Sequence, residues 1–152
     1  MADLQNTDTV LDAYCGIGTI GLTAAPQVRR VIGIESVATA IRDAEANAER
    51  NGIKNAEFHT GKVEDMIPTF KEETIDLLFV DPPRKGLKRP FIDAVIDKGI
   101  PKMVYISCNV STLARDLNIF TSNGYRIDSV TPFDMFPQTS HIETVVRLTK
   151  NQ

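Results

Sequence analysis

The sequence predicts a single α/β domain with a mostly parallel sheet that ends in an antiparallel strand. Short strand-like runs alternate with longer helical patterns as far as Gly124, and two strand-like runs with no helix between them follow it. Helices that alternate with strands imply right-handed crossovers between parallel strands, whereas two consecutive strands favour an antiparallel pair. The ligand crevice of such a sheet lies at the carboxyl ends of its parallel strands.

Six runs have the apolar character of strands. They cover residues 9–13, 31–34, 75–80 and 103–107, and then 125–133 and 142–148. The runs at 75–80 and 103–107 are almost continuously apolar, which is typical of parallel strands that are covered on both faces. These two runs therefore indicate a sheet with helices on both of its sides.

Two helical patterns have recognisable ends. The first has apolar residues within 38–48, has Ser36 as its predicted N-cap, and ends at the Asn-Gly pair 51–52. The second has Ser111 as its predicted N-cap and ends at the Asn-Gly pair 123–124. Small polar residues satisfy the free N–H groups at the start of a helix, and Asn or Gly tolerates the left-handed conformation that ends one.

Composition limits the function. The chain has 152 residues, 42% hydrophobic and 24% charged, as expected for one domain over residues 1–152. Its net charge of −3 argues against a general nucleic-acid binder, which needs a clustered surplus of Lys and Arg. Two cysteines far apart in sequence and two histidines cannot make a C-x-x-C zinc site or an iron–sulfur cluster without outside ligands, so no metal is expected. No apolar stretch resembles a signal peptide or a membrane span, which predicts a cytoplasmic protein with free thiols and no membrane partner.

The first chemical motif follows the first predicted strand and opens a helix. Gly16, Gly18 and Gly21 fit the pattern G-x-G-x-x-G, which permits a tight turn and a close approach of the backbone to a ligand. Glu35 closes the next strand roughly 20 residues later, where an acid accepts hydrogen bonds from ribose hydroxyls. The motif predicts an adenosine-bearing cofactor, and both NAD and S-adenosylmethionine meet its requirements.

The second motif, Asp-Pro-Pro-Arg at 81–84, follows the run at 75–80. Its two prolines restrict the backbone, so the Asp81 carboxylate is expected to be held facing the crevice. Such a loop resembles the target-facing loop of S-adenosylmethionine-dependent methyltransferases more than the loops of dehydrogenases. Arg84 stands where amine methyltransferases of that kind commonly have an aromatic residue, which argues against stacking on an amino-bearing base.

The third motif is a thiol at the end of a predicted buried strand. Cys108 follows the run at 103–107 and precedes Asn109, which places it at the sheet edge where open α/β folds bind ligands. It is therefore a candidate nucleophile, and the alternative is a buried cysteine that packs as a small hydrophobic residue. The second thiol, Cys15, lies where backbone must approach the cofactor, and we interpret it as a packing residue.

Four ordered blocks together resemble the RNA uracil-5-methyltransferase family, which makes 5-methyluridine in ribosomal and transfer RNA. The blocks are residues 11–22, 81–86, 105–109 and 133–143. The resemblance implies a Rossmann-like methyltransferase fold, S-adenosylmethionine as cofactor, and an RNA substrate, with ribosomal RNA favoured over tRNA. It further implies Cys108 as nucleophile and Glu143 as general base. It makes Tyr14 and Glu35 contacts to the adenosine of the cofactor, Gly16 part of the cofactor loop, and Asp81 a contact between cofactor and target.

The sequence departs from this family in three ways. Val110 stands where the family usually has Pro or Ala, and Lys62 replaces a carboxylate or amide that many members place near the adenine. The family's enzymes are also much longer, with RNA-binding elements ahead of this domain. We therefore expect a fragment or a truncated relative whose isolated form binds its cofactor weakly.

The implied chemistry requires a thiol and a base. Carbon 5 of uracil is a weak nucleophile until a thiolate adds at carbon 6, and a base must later remove the proton at carbon 5 to release the cysteine. His141 and Glu143 lie two residues apart in a strand-like run and share one face, so both are geometric candidates for the base. The family pattern favours Glu143, while His141 has the more convenient intrinsic pKa. Ser107 and Asn109 are uncharged neighbours of the thiol that could hydrogen-bond the uracil edge.

Other interpretations stay open at this stage. A basic cluster of Arg84, Lys85, Lys88 and Arg89 could contact phosphates of an RNA whose target base has left its stack, or could be a solvated loop. An NAD-dependent oxidoreductase would explain the glycines and Glu35 but would leave Cys108 unused. A cofactor-binding module without catalytic activity is the third alternative.

Overall fold

The computed structural model describes residues 2–135, 137–139 and 142–151. Its strands are β1 (Thr9–Ala13), β2 (Arg30–Glu35), β3 (Ala56–Thr60), β4 (Leu77–Val80), β5 (Lys102–Ser107), β6 (Tyr125–Phe133) and β7 (Glu143–Lys150). Its α-helices are α1 (Thr19–Ala24), α2 (Ala38–Arg50), α3 (Val63–Met66), α4 (Arg89–Lys98) and α5 (Val110–Ser122), and two short 3-10 helices cover Ala25–Gln27 and Ile67–Thr69.

Within the described residues, the strands form a seven-stranded sheet in the order β3-β2-β1-β4-β5-β7-β6. Strands β1 to β5 are parallel, and β7 runs antiparallel to both β5 and β6. This arrangement confirms the predicted α/β fold with a mostly parallel sheet and an antiparallel end. The carboxyl ends of β1, β2, β4 and β5 meet at one edge, and β7 begins at that same edge because it runs in the opposite direction.

The core lies on both faces of the sheet. One cluster contains Leu11 and Leu78 from the sheet, together with Phe91 of α4 and Phe120 of α5. Neighbouring residues on a strand point to opposite faces, so Val10 belongs to a second cluster that includes Val31 and Val104 and is covered by the end of α1 and the turn after it. The inner strands are therefore buried on both sides, as their apolar runs predict.

The structure corrects both predicted helix caps. Helix α2 has Val37 rather than Ser36 at its N-cap, because the Glu35 carboxylate accepts hydrogen bonds from the Val37 N–H and from the Ser36 hydroxyl, each at 3.0 Å. Helix α5 has Asn109 at its N-cap, and the Asn109 side chain accepts a hydrogen bond from the Ser111 N–H at 3.0 Å. The predicted ends of both helices are confirmed, since α2 ends at Arg50 and α5 at Ser122.

Strand β3 and helices α3 and α4 lie outside the runs that the sequence patterns single out. Strand β3 is a half-exposed edge strand with mixed polarity, so it lacks the apolar run of a buried strand. Helix α4 begins at Arg89 with a proline in its first turn and ends at Gly99, whose φ is 73°. The basic cluster at 84–89 is therefore a loop that leads into a helix.

Candidate functional site

The carboxyl edge of the sheet contains a cleft of about 900 Å³. Three of the predicted cofactor residues, Tyr14, Glu35 and Asp81, line it. The other lining residues come from the loops after β2, β3 and β4 and from α5: Ser36, Val37, Gly61, Lys62, Val63, Glu64, Pro82, Pro83, Lys85, Gly86, Leu87, Lys88 and Arg115. The predicted site residues therefore gather at the edge where open α/β sheets bind ligands.

The glycine loop turns sharply between β1 and α1. Gly16 and Gly18 have φ values of 53° and 84°, in the left-handed region that favours glycine. A Cβ atom on Gly21 would lie 2.8 Å from both the Asp12 carboxylate and Val31, so only glycine allows α1 to pack this closely against the sheet. The Gly21 N–H donates a hydrogen bond of 2.8 Å to Asp12. The glycines therefore form the tight turn that the pattern predicts, and Gly21 also allows the close packing of α1 on the sheet.

Glu35 is held in place by backbone groups on two sides. One carboxylate oxygen accepts from the Val37 N–H and the Ser36 hydroxyl, and the other accepts from the Gly16 N–H at 3.3 Å. The last contact joins the end of β2 to the glycine loop. The structure thus brings Gly16 and Glu35 together, although Gly16 itself does not line the cleft.

Tyr14 presents a neutral phenol to the cleft. Its backbone has a φ of 60°, and its ring packs against Phe91 with 5.6 Å between the ring centroids. Burial, with a contribution from the negative charges of Glu64, Asp116 and Glu35, raises the pKa of Tyr14 to about 12. The side chain therefore offers a flat, uncharged surface beside the Glu35 carboxylate.

Asp81 stands at the rim of the cleft, directly after β4. Partial removal from water and the negative charge of Glu143 raise the pKa of its carboxyl group above the ordinary value. Pro82 is buried and Pro83 is exposed, and the Gly86 N–H closes the turn with a hydrogen bond of 2.8 Å to the Pro83 carbonyl. Asp81 follows β4 and Glu143 begins β7, so both lie at the same edge of the sheet.

Cys108 and Glu143 come together through the register of two strands. Ser107, the last residue of β5, pairs with Thr144 of β7. Cys108 directly follows this last pair and Glu143 directly precedes it, so both lie at the carboxyl edge of the sheet. Both residues are partly accessible. Neither lines the cleft itself.

The polar neighbours of Cys108 bond to the protein. The Ser107 hydroxyl and the Asn109 backbone exchange two hydrogen bonds of 3.1 Å. The Asn109 side chain accepts from the Ser111 N–H and donates to the Arg84 carbonyl at 3.3 Å. These contacts fix the turn that carries Cys108, so Ser107 and Asn109 act in the described structure as supports of that turn.

The two remaining polar groups near the glycine loop are buried. Cys15 is 8% exposed, and burial, aided by the charges of Asp12 and Glu35, raises the pKa of its thiol to about 12, which confirms it as a packing residue. Asp12 is 1% exposed, and burial, opposed by the Gly21 hydrogen bond and reinforced by Asp81, raises its pKa to about 7. Sequence reasoning missed Asp12, although an acid within an apolar strand before a glycine loop was a visible signal.

The predicted basic cluster is divided by the fold. Lys85 and Lys88 line the cleft, whereas Arg89 begins α4 and forms an ion pair of 2.7 Å with Asp93. Lys62 and Arg115 also line the cleft, so its four basic groups come from three separate parts of the chain and lie beside the carboxylates of Glu35, Glu64 and Asp81. His141, the alternative base, lies outside the described residues.

Within residues 2–135, 137–139 and 142–151, no group of three or more His, Cys, Asp or Glu side chains is arranged to hold a metal ion. The helices of the same residues are all too short or too polar to cross a membrane.

Comparisons with known proteins connect this site to one family. A family model described as tRNA (uracil-5-)-methyltransferase matches residues 2–151. An uncharacterised RNA methyltransferase of Lactobacillus johnsonii is 50% identical over 99% of this chain, and one of Listeria innocua is 49% identical over 97% of it. The alignments cover 34% and 33% of those proteins, so this chain spans about a third of the length of the curated relatives it matches.

A solved structure gives the same connection. The crystal structure of a Pyrococcus abyssi tRNA (uracil-54, C5)-methyltransferase in complex with S-adenosyl-L-homocysteine is similar to this chain, with a TM-score of 0.84 and 35% identity. The match covers 97% of this chain and 36% of the Pyrococcus chain. The Rossmann-like methyltransferase fold that the sequence predicts is thereby confirmed.

Proposed function

This chain belongs to the tRNA (uracil-5-)-methyltransferase family, and from this premise we propose that it is the catalytic region of an enzyme that methylates carbon 5 of a uridine in RNA. S-adenosylmethionine is the proposed methyl donor and Cys108 the proposed nucleophile. One observation carries the proposal: the β5–β7 ladder ends at Ser107 and Thr144, so their neighbours Cys108 and Glu143 lie at the same sheet edge as the cleft that Tyr14, Glu35 and Asp81 line.

The cleft fits the proposed cofactor. Its volume of about 900 Å³ lies within the roughly 300–1,000 Å³ of small-molecule sites. The fixed Glu35 carboxylate can accept hydrogen bonds from ribose hydroxyls, and the neutral Tyr14 ring can pack against the adenine. Asp81 adds negative charge at the rim, and Glu143 interacts with it electrostatically from nearby, which favours a cationic sulfonium. When bound, S-adenosylmethionine supplies an electrophilic methyl group.

The family match supports the methyltransferase interpretation over an NAD-dependent oxidoreductase. Both cofactors suit the glycine loop and Glu35, but a hydride-transfer enzyme gives no role to the juxtaposition of a thiol and a carboxylate at 108 and 143. The Pyrococcus protein, which is similar over nearly the whole of this chain, was crystallised with the demethylated product of S-adenosylmethionine. Calorimetric titration distinguishes the two, since we expect binding heat with S-adenosylmethionine and none with NAD.

The proposed reaction uses Cys108 first. Its thiolate adds to carbon 6 of the uracil ring, so a sulfur–carbon bond forms and the ring electrons shift to make carbon 5 a nucleophile. Carbon 5 then receives the methyl group, whose bond to the donor sulfur breaks with the electron pair left on sulfur as S-adenosylhomocysteine, and carbon 5 still carries its own proton. Glu143 takes that proton as a carboxylate, the carbon 5–carbon 6 double bond re-forms, and the electron pair of the sulfur–carbon bond returns to Cys108.

We propose ribosomal RNA as the substrate class, in line with the sequence analysis. The matched family and the Pyrococcus protein both carry tRNA in their descriptions, and the bacterial relatives are described only as RNA methyltransferases. The assay therefore offers unmodified ribosomal RNA and unmodified tRNA side by side. Methylation of tRNA alone would reject the ribosomal assignment and leave the chemistry intact.

The decisive experiment measures 5-methyluridine by mass spectrometry after incubation with RNA and S-adenosylmethionine. Because the relatives are about three times as long, the chain is joined to the N-terminal region of a full-length relative. We expect Cys108→Ala to abolish product and Cys15→Ala to keep it. Product at the parental rate from Cys108→Ala would refute the proposal, and cofactor binding without product from the parent would favour a non-catalytic cofactor module.

The cofactor contact of Glu35 has its own test. Glu35→Gln keeps an oxygen that can accept from the Val37 N–H but removes the charge offered to the ribose. We expect its Kd for S-adenosylhomocysteine to rise about tenfold or more, because hydrogen bonds to a charged group contribute on the order of 1.5–3 kcal/mol. Glu49→Gln, on the exposed face of α2, is the matched control, and equal affinities for the two variants would contradict the placement of the ribose.

A further inference from the structure

Asp116 is a buried carboxylate with a full set of hydrogen-bond donors. Its side chain is completely inaccessible to solvent. One oxygen accepts from the Leu87 N–H and from the Tyr105 hydroxyl, each at 2.7 Å, and the other accepts from two nitrogens of Arg115 at 2.9 and 2.8 Å. Burying a charge costs free energy unless such partners compensate for it. Local packing does not explain why a charged residue occupies this position.

The same part of α5 binds the loop after β4 at further points. The Arg115 guanidinium donates to the carbonyls of Lys85 and Leu87 at 3.1 and 3.2 Å. The Asn109 amide and the Thr112 hydroxyl both donate to the Arg84 carbonyl at 3.3 Å. The backbone of residues 84–87 is therefore held by the first two turns of α5.

Gly86 shows how closely the loop is pressed against this helix. Its φ is 74°, and a Cβ atom built on it would lie 2.6 Å from the nearer Asp116 oxygen and 2.7 Å from an Arg115 nitrogen. A side chain would collide with both groups, and its backbone conformation would also be strained. The glycine is needed here because the loop backbone must reach the carboxylate.

These contacts begin where the hydrogen bonds between β4 and β5 end. The last paired residues of β4 and β5 are Val80 and Tyr105, so the segment from Asp81 to Leu87 leaves the strand ladder at that point. Residues 81–83 and 85–87 line the cleft, and Tyr105 lies three residues before Cys108 on the strand that presents the thiol. Asp116 contacts both the loop and that strand.

We propose that Asp116 is a positioning residue that fixes the loop 81–87 of the cofactor cleft relative to the strand that carries Cys108. The proposal rests on the proposed function, because it assigns the loop to cofactor binding. Asp116 acts through Leu87, Arg115 and Tyr105 and touches no reacting atom. Without it the loop keeps its prolines but loses the connection that sets its distance from β5.

The test compares Asp116→Asn with the parent chain. Asparagine has nearly the same shape, but it has one acceptor oxygen, so it cannot accept from Leu87 and Tyr105 on one side and from Arg115 on the other. We expect the Kd for S-adenosylhomocysteine to rise about tenfold or more by calorimetry, given the usual strength of hydrogen bonds to charged groups. Faster hydrogen exchange at the Leu87 amide should accompany it.

Tyr125→Phe provides the matched control. Tyr125 is 2% exposed and donates a buried hydrogen bond of 2.8 Å to the Ile100 carbonyl, away from the cleft. Its loss should lower the melting temperature without changing the Kd for S-adenosylhomocysteine. Tyr105→Phe removes one donor to Asp116 and should give an intermediate rise in Kd.

A second readout separates positioning from general loosening. Cys108 lies on a turn that Ser107 and Asn109 hold without Asp116, so its alkylation rate by iodoacetamide should be the same in Asp116→Asn and in the parent while cofactor affinity falls. Faster alkylation in step with the loss of affinity would overturn the proposal, as would equal affinities of Asp116→Asn and the parent. Failure of the parent chain to bind S-adenosylhomocysteine would instead refute the proposed function, and the role of Asp116 in cofactor binding with it.

Discussion

Cys108 is the proposed nucleophile and Glu143 the proposed general base, so the loss of each residue should block a different step of the reaction. In RNA that carries 5-fluorouridine, carbon 5 holds a fluorine that cannot leave as a cation. After thiolate addition and methyl transfer, Glu143 has no proton to remove, so the bond between Cys108 and RNA should persist. We expect a conjugate that survives denaturing electrophoresis and requires S-adenosylmethionine, with the chain joined to the N-terminal region of a relative.

Variants at the two positions then give opposite results. Cys108→Ala should form no conjugate with either RNA, whereas Glu143→Gln should accumulate a conjugate even with ordinary uridine, because elimination is blocked. Cys15→Ala serves as the thiol control and should behave like the parent. Rapid product release by Glu143→Gln would assign the base to another group, with His141 the next to replace.

Asp12 predicts a pH dependence of stability at the residue scale. Burial raises its pKa from 3.8 to about 7, so the folded chain binds a proton here that the unfolded chain releases between those values. Stability therefore falls as pH rises from about 4 to 7 and is level above that range, with a total on the order of 4 kcal/mol. Asp12→Asn removes the titration, and its Tm relative to the parent should rise across the same interval. A Tm difference that is constant from pH 4 to pH 8 would show that Asp12 does not titrate in this range.

At the scale of elements, the start of α5 is set by Asn109. Its side chain accepts from the Ser111 N–H and donates to the Arg84 carbonyl. Asn109→Ala should lower the free energy of unfolding by about 1 kcal/mol, the usual contribution of an N-cap. Loss of the hydrogen bond to the Arg84 carbonyl should make the decrease slightly larger. Ser111→Ala should change the free energy of unfolding by no more than a few tenths. Urea denaturation measures both, and an equal loss for the two variants would restore Ser111 as the cap.

The same helix shows what sequence patterns can predict. The runs at 103–107 and 125–133 are apolar enough to identify buried or paired strands, and the Asn-Gly pairs identify both helix ends. The cap at Asn109 could not be chosen over Ser111, because both are good capping residues and the backbone angle that decides between them depends on where β5 ends. Strand β3 carries no apolar run, since it lies at the sheet edge and is only half buried.

The individual residues of the candidate site were predictable from the sequence, but the hydrogen bonds between them were not. The glycine loop, Glu35, Asp81 and Cys108 each stand next to a recognisable strand end. The bonds among them, such as the Gly16 N–H to Glu35, join residues far apart in sequence and follow only from strand order. Asp116 lies inside an ordinary helical pattern, so nothing in the sequence marks it as the partner of a loop 29 residues away.

At the scale of the whole molecule, the distribution of charge indicates how strongly this chain binds RNA. The chain has a net charge of −3, and among the described residues the basic groups that line the cleft are Lys62, Lys85, Lys88 and Arg115. Phosphate contacts supply most of the affinity of a protein for nucleic acid. A net negative charge with a few basic groups at the cleft therefore favours local contacts to an RNA strand over tight binding. The chain also spans only about a third of its relatives' length.

The chain alone should therefore bind S-adenosylhomocysteine but bind single-stranded RNA weakly, with a Kd above about 10 μM at physiological salt. If Lys85 and Lys88 each contact one phosphate, the slope of log K against log salt should be near −1.4, from about −0.7 per contact on single strands. Fluorescence anisotropy with a labelled oligonucleotide at several salt concentrations measures the affinity and the slope. The double variant Lys85→Ala/Lys88→Ala should bring the slope close to zero, whereas Lys54→Ala/Lys71→Ala makes the same charge change away from the cleft and should leave it unchanged. An equal effect of the two double variants would mean that RNA binds the surface without a preferred site. That result would contradict phosphate contacts at Lys85 and Lys88.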